Sequence, residues 1–166
     1  MRLISDTHFY HKNVIEYENR PFLSLEHMHK SMIQDWNMVV KKRDFVYVLG
    51  DLAFGNKQMI KDIISKLNGR IHLIMGNHDS KRSYKWWQES GIEWVSKYPV
   101  IYEDIYIFSH RPLANIGTGF TNIHGHMHSK LYTADSQHFN VSVDNIGYKP
   151  VDFEVIKKKI AEGKTW

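Results

Sequence analysis

Short apolar runs, each closed by a polar residue of metal-binding type, set the rhythm of this chain. Leu3-Ile4-Ser5 runs into Asp6 and His8, and Phe45 to Gly50 runs into Asp51. Ile71 to Gly76 leads to Asn77-His78-Asp79, Ile105 to Ser109 leads to His110, and the run around Ile123 leads to Gly125-His126-Met127-His128. Apolar runs bounded by turn residues predict buried strands. Between them the spacing changes to three and four. Leu25, Met28, Met32, Trp36 and Val39 predict a helix capped by Ser24 and ending near Val40. Met59, Ile60, Ile63, Ile64 and Leu67 predict a second, stopped by Asn68-Gly69. A third helix is expected over Lys81 to Ser90, and a last over Asp152 to Ala161 with Phe153, Ile156 and Ile160 inward.

Strand and helix thus alternate through the first half, followed by mostly strands and a closing helix. The alternation argues for parallel pairing. Tyr98 to Tyr102 and Tyr106 to Phe108, around Glu103-Asp104, predict a hairpin. The expected fold class is α/β (α+β): a two-layered mixed β-sheet sandwich flanked by α-helices. No linker, low-complexity tract or internal repeat interrupts the pattern, so residues 1–166 are read as a single domain. Sites in open layered sheets form where the carboxyl ends of strands converge. The aspartates, histidines and asparagine that close the runs are therefore expected to meet.

Composition narrows the chemistry. With 166 residues, 42% of them hydrophobic, the chain can bury a core. It has no cysteine, which excludes disulfides and zinc–thiolate sites and suits a reducing compartment. No stretch approaches the roughly 20 apolar residues of a membrane span, and the first strand starts too early to leave room for a signal peptide. A cytoplasmic protein without membrane association is the expectation. The net charge of +4 tilts the chain weakly toward anionic partners. Lys157-Lys158-Lys159 reads as the solvated face of the last helix. With no basic track and no recognition domain in view, nucleic acid is not the favoured partner.

Taken in order, Asp6-Thr7-His8, Gly50-Asp51, Gly76-Asn77-His78-Asp79, Ser109-His110 and Gly125-His126-Met127-His128 resemble the motifs of the calcineurin-like metallophosphoesterase superfamily, its small bacterial and phage-type members in particular. The resemblance implies two divalent metal ions. One would be held by Asp6, His8, Asp51 and His128, the other by Asp51, Asn77, His110 and His126, with Asp51 shared. Manganese is the first expectation, and oxygen and imidazole ligands accept iron, zinc, nickel, cobalt and magnesium as well, so the donor set alone does not choose among them. The implied reaction is hydrolysis of a phosphodiester or phosphomonoester by in-line attack of a metal-activated water. Asp51 and His78 are then the catalytic residues, with His78 serving the leaving oxygen. A nuclease on DNA or RNA and a non-catalytic scaffold are the competing readings; the complete ligand set speaks against the scaffold.

One block departs from the protein phosphatase branch. Gly50-Asp51-Leu52-Ala53-Phe54-Gly55 lacks that branch's second aspartate and its arginine, so a small phosphoester, nucleotide-like among the options, is the expected substrate. Arg111 leads as the residue gripping phosphate, with His11 and Asn13 as further substrate contacts. His124 is expected behind a metal ligand. Asp79 is read as a cap for the following helix, ahead of a role in orienting His78. Trp86 and Trp87 divide between core and rim. Arg20 either lines the mouth or leads into the first long helix.

Overall fold

Val46, Val48, Ile71 and Leu73 are all buried, the alternate positions that a period of two puts on one face of their strands. The computed structural model describes residues 1–130 and 136–164. Its elements in chain order begin with β1 (Arg2–Ile4), the single-turn α1 (Val14–Tyr17), α2 (Leu25–Val39), β2 (Phe45–Val48), α3 (Lys57–Lys66) and β3 (Arg70–Ile74). A 3-10 turn at Asp79–Lys81 leads to α4 (Tyr84–Glu89) and β4 (Trp94–Ser96). The second half holds β5 (Val100–Tyr102), β6 (Tyr106–Phe108), β7 (Thr121–His124), β8 (His138–Asn140), α5 (Val143–Ile146), β9 (Val151–Asp152) and α6 (Phe153–Ala161).

Two sheets result. The first has the order β4-β3-β2-β1-β9, parallel except for β9. The second has the order β5-β6-β7-β8, parallel except for β5, which forms the expected hairpin with β6. The architecture is the expected two-layered mixed sandwich with flanking helices. Alternation along each strand divides the core. On the outer face of the first sheet, Met28, Met32 and Trp36 of α2 and Ile60 and Ile63 of α3 pack with Ile4, Val46, Val48, Ile71 and Leu73. Between the sheets, Leu3, Leu49 and Ile74 meet Phe108, Ile123 and Phe139, and α6 closes that layer with Phe153 and Ile156. The layers are also tied by backbone: Ser5 N–H donates to Val141 O and Val143 N–H to Ser5 O, both at 3.0 Å. Among the described residues no helix is long and apolar enough to cross a membrane.

The cap follows the expectation at Ser24, whose side chain accepts from His27 N; Asp152, expected as the first residue of the last helix, is instead its cap, with its side chain accepting from Glu154 N. The third helix is shorter than its pattern. Ser83 is extended and its side chain accepts from Trp86 N at 3.2 Å, so it starts a fresh helix and separates the 3-10 turn from α4.

Candidate metal centre

Every expected ligand follows the carboxyl end of a strand. Asp6 and His8 come after β1, Asp51 after β2, Asn77 after β3, His110 after β6, and His126 and His128 after β7. The loops brace one another like an irregular ladder. Asp6 N–H donates to Gly50 O, His8 N–H to Asp51 O and Gly125 N–H to His110 O, at 2.9–3.0 Å. Asp6, His8, Asp51, His126 and His128 all have left-handed backbone, with φ of 58°, 51°, 52°, 69° and 49°. Each such non-glycine residue stores strain of order 1–3 kcal/mol, toward the low end for Asp and His. Two motif glycines answer to the same crowding. A Cβ on Gly76 would strike Asp51 Oδ1, and one on Gly125 would strike Ser5 Oγ and Asp6 Oδ2.

The side chains form two adjoining groups. The ligand atoms of Asp6, His8 and His128 lie within 4.8 Å of one another, and so do those of Asp51, His110 and His126. Asp51 Oδ2 stands between them, 3.7 Å from His8 Nε2 and 3.5 Å from His110 Nε2. Asn77 Oδ1 and His126 Nδ1 are 3.0 and 3.1 Å from His110 Nε2.

The hydrogen bonds leave the inward atoms bare. Asp6 Oδ2 accepts from Ser142 Oγ and His126 N, both at 2.8 Å, while its Oδ1 is buried without a partner. His8 Nε2 is likewise buried and unpartnered. A proton carried by His8 on Nδ1, 3.1 Å from His11 Nδ1, leaves that Nε2 a free lone pair. His110 Nδ1–H donates to Leu49 O at 2.9 Å, which leaves Nε2 an acceptor facing Asn77 Oδ1 and His126 Nδ1. A buried acceptor left unpaired costs about 1–3 kcal/mol. The orphaned Asp6 Oδ1 and His8 Nε2 at the centre of such a cluster fit cations, and the donor set of nitrogen and oxygen fits hard to borderline divalent ions.

Residues behind the cluster fix its orientation. Burial, with the neighbouring His128, holds the His8 imidazole far below its ordinary range and hence neutral, as a metal ligand must be. His128 Nδ1–H donates to Asp144 Oδ2 at 2.8 Å. Burial lowers the His128 pKa, but that hydrogen bond and the charges of Asp6 and Asp144 outweigh it and leave it raised. Burial pushes the Asp144 carboxyl up, yet His128 and Arg20 outweigh that and hold it below its ordinary value. Arg20, only 4% exposed, grips Asp144 with Nε at 2.8 Å and Nη2 at 3.2 Å. The same guanidinium donates to Asp6 O at 2.7 Å and Thr7 O at 3.1 Å. It therefore neither lines the mouth nor merely leads into α2.

Asp79 departs from its expected role. Its carboxylate accepts from Asp51 N at 2.6 Å, Gly76 N at 2.8 Å and Leu52 N at 3.2 Å, so it clasps the two ligand loops rather than capping a helix or touching His78. Burial, then the nearby Asp51 charge, pushes its pKa up to about 7 against the pull of those donors. His124 is buried behind Gly125, with Nδ1 2.8 Å from Gly125 O, and burial takes its pKa down to about 4.

At the mouth, His78 is partly open, with Nε2 3.8 Å from Asp51 Oδ2 and its backbone N–H donating to Asp51 Oδ1 at 3.0 Å. His11 stacks on Phe54 at 4.4 Å beside it. Arg111 is exposed, with Nη2 3.5 Å from Asn77 Oδ1. Asn13 is also exposed, and its amide reaches the Tyr17 hydroxyl at 3.4 Å rather than the cluster. Trp87 is core, its Nε1–H on Asp79 O at 3.1 Å, and Trp86 is rim.

A family model described as calcineurin-like phosphoesterase matches residues 2–165. The chain belongs to the calcineurin-like phosphoesterase family. This phosphoesterase is 38% identical over 174 aligned positions to the uncharacterized protein MJ1445 of Methanocaldococcus jannaschii, covering 98% of this chain and 92% of that one. A shorter match, 40% identical over 78 positions, covers 45% of this chain and 37% of the gene 66 protein of Mycobacterium phage L5. The crystal structure of AQ665, a protein of unknown function from Aquifex aeolicus, superposes over 95% of this chain and 97% of its own with a TM-score of 0.71. At 23% identity that likeness speaks for the fold alone. Membership makes the chain a metal-dependent phosphoesterase, a hydrolase of phosphoric esters that binds divalent metal.

Sequence reasoning passed over one residue of this phosphoesterase's inner machinery, Asp144. The signal was present: Val141-Ser142-Val143 is one more short apolar run that closes on a carboxylate.

Proposed function

We propose that the protein is a dinuclear phosphoesterase that cleaves phosphodiester or phosphomonoester bonds of a small, nucleotide-like substrate. Asp6, His8, Asp51 and His128 would hold one ion and Asp51, Asn77, His110 and His126 the other, manganese being the first choice among the metals this donor set accepts. When bound, two such ions supply Lewis acidity toward phosphoryl oxygens and a nucleophile at neutral pH. The observation that carries the reading is the position of Asp51 Oδ2, 3.7 Å from His8 Nε2 and 3.5 Å from His110 Nε2, with the orphaned Asp6 Oδ1 and His8 Nε2 beside it. A carboxylate shared between two cations screens their repulsion.

The chain's own residues divide the remaining work. Arg111 offers a guanidinium beside Asn77, suited to a bidentate grip on the phosphoryl group. His11, stacked on Phe54 beside His78, borders the substrate side, whereas Asn13 is turned to Tyr17. The oxygen of water bonds to phosphorus in line with the departing oxygen. His78 donates a proton to that departing oxygen, and its open ring edge next to Asp51 supports the assignment. Residues 1–166 would act as one catalytic domain, and the lack of cysteine suits a cytoplasmic setting.

Metal counting and turnover test this together. Protein stripped with EDTA and reloaded with manganese should hold about two ions per chain. It should hydrolyse p-nitrophenyl phosphate or bis(p-nitrophenyl) phosphate, and lose that activity on renewed chelation. Binding of a single ion refutes the dinuclear assignment, and no turnover in any divalent metal refutes the hydrolase.

A further inference from the structure

Asn77 and His78 stand between two clefts. The first, of about 200 Å³, is walled by Phe54, Lys81, Arg82 and Trp86 and ends at His78. The second, of about 250 Å³, is bounded by Asn77, Ser80, Lys97 and Arg111. The neighbours Ser80 and Lys81 open to opposite sides, so the turn at Asp79–Lys81 is the divide. Each cleft is smaller than the roughly 300–1,000 Å³ that encloses a whole small ligand. Each is sized for one arm of a substrate that crosses the site.

Both arms carry positive charge. Lys81 and Arg82 flank one and Lys97 and Arg111 the other, and among the described residues Lys81, Arg82 and Lys97 have no acidic partner. The first arm is also aromatic. The Arg82 guanidinium lies 5.1 Å from the Trp86 ring centroid, and Trp86 rests edge-on against the buried Trp87 at 5.0 Å. Such a surface binds a planar base by stacking while its cation meets phosphate. A phosphomonoester has one organic arm and would leave a cleft idle.

Building on the hydrolase reading above, we propose that the substrate is a single-stranded oligonucleotide. Its scissile phosphate lies at Asn77–His78, with an anionic backbone continuing into both clefts. His78 sets the direction: the proton donor must adjoin the departing oxygen, so the leaving nucleoside occupies the Phe54–Trp86 cleft. The basic residues were invisible as a track because they are scattered over residues 81 to 111, and the fold gathers them.

Two readouts test the proposal. Fluorescein-labelled tetrathymidylate is titrated into EDTA-treated protein and followed by anisotropy. Affinity should fall with salt, and Lys81→Ala, Arg82→Ala and Lys97→Ala should each reduce the log–log slope by about 0.7. Trp86→Ala should weaken binding about tenfold. With manganese, the central linkage of tetrathymidylate should be cut with a higher kcat/KM than that of thymidylyl-thymidine, which lacks the flanking phosphates. Salt-independent binding, or equal kcat/KM for the two lengths, overturns the two-armed site while the hydrolase stands. Salt-dependent binding without hydrolysis of bis(p-nitrophenyl) phosphate in any divalent metal supports the clefts and overturns the hydrolase.

Discussion

Arg20→Lys should unbalance the two metal positions. The guanidinium makes four hydrogen bonds to oxygen, two to Asp144 and one each to Asp6 O and Thr7 O, at 2.7–3.2 Å. Those contacts serve Asp6, His8 and His128, the residues assigned to one ion alone; none of them reaches Asn77, His110 or His126. An ammonium keeps the charge but cannot reproduce a planar fork, so most of the four are lost. Stranding two or three of those buried acceptors, at about 1–3 kcal/mol each, costs about 3–5 kcal/mol. At about 2–4 °C per kcal/mol for a chain of this size, the metal-free Tm should drop by about 6–20 °C. Loss of an outer hydrogen-bond partner lowers metal affinity about 10–100-fold, which is about 1.4–2.8 kcal/mol. Calorimetric titration of EDTA-treated protein with manganese reads the two events separately. One should weaken by that factor and the other stay within about twofold. Equal weakening of both, or of neither, would refute the idea that Arg20 braces one position.

His78→Ala should cut turnover by about 10²–10⁴ while metal content, measured by mass spectrometry, stays at the wild-type value; metal loss would make His78 structural. Asp79→Ala strands the N–H groups of Asp51, Leu52 and Gly76 and should destabilise the fold by about 3 kcal/mol or more, read by urea unfolding; an unchanged midpoint would contradict the clasp. His29 Nε2 accepts from Tyr10 N at 2.8 Å, and burial holds its pKa below the ordinary 6.5. The folded chain therefore resists protonation that the unfolded chain accepts, so His29's stabilising contribution is complete above pH 6.5 and shrinks as pH falls toward the folded value. His29→Gln should flatten the loss of stability between pH 7.5 and 5.5, and an unaltered slope would assign that loss to other histidines.

The candidate metal ligands were legible because each follows its strand directly, so the apolar runs that announce β1, β2, β3, β6 and β7 also point at them. Other features escaped for physical reasons. β4 (Trp94-Val95-Ser96) and β8 (His138-Phe139-Asn140) interrupt their apolar positions with polar residues, and β9 is two residues long, so none carries enough pattern to register. The Lys81 to Ser90 pattern hid the cap at Ser83, since periodicity does not record a break in backbone conformation. Arg20 reads as an ordinary surface cation until Asp144, 124 positions later, is folded against it. Asp79 looked like a cap because its sequence neighbours suit one, whereas two of its three partners lie in the loop after β2.

The ladder of loops has a consequence for how the molecule holds together. Asp6, His8, Asp51 and Asn77 belong to one layer of the sandwich, and His110, His126 and His128 to the other. Ions seated among them would rivet the two layers along a single rim. Uptake of the ions and docking of the layers then become one linked equilibrium, so a chelator acts as a denaturant whose strength is set by free-metal concentration.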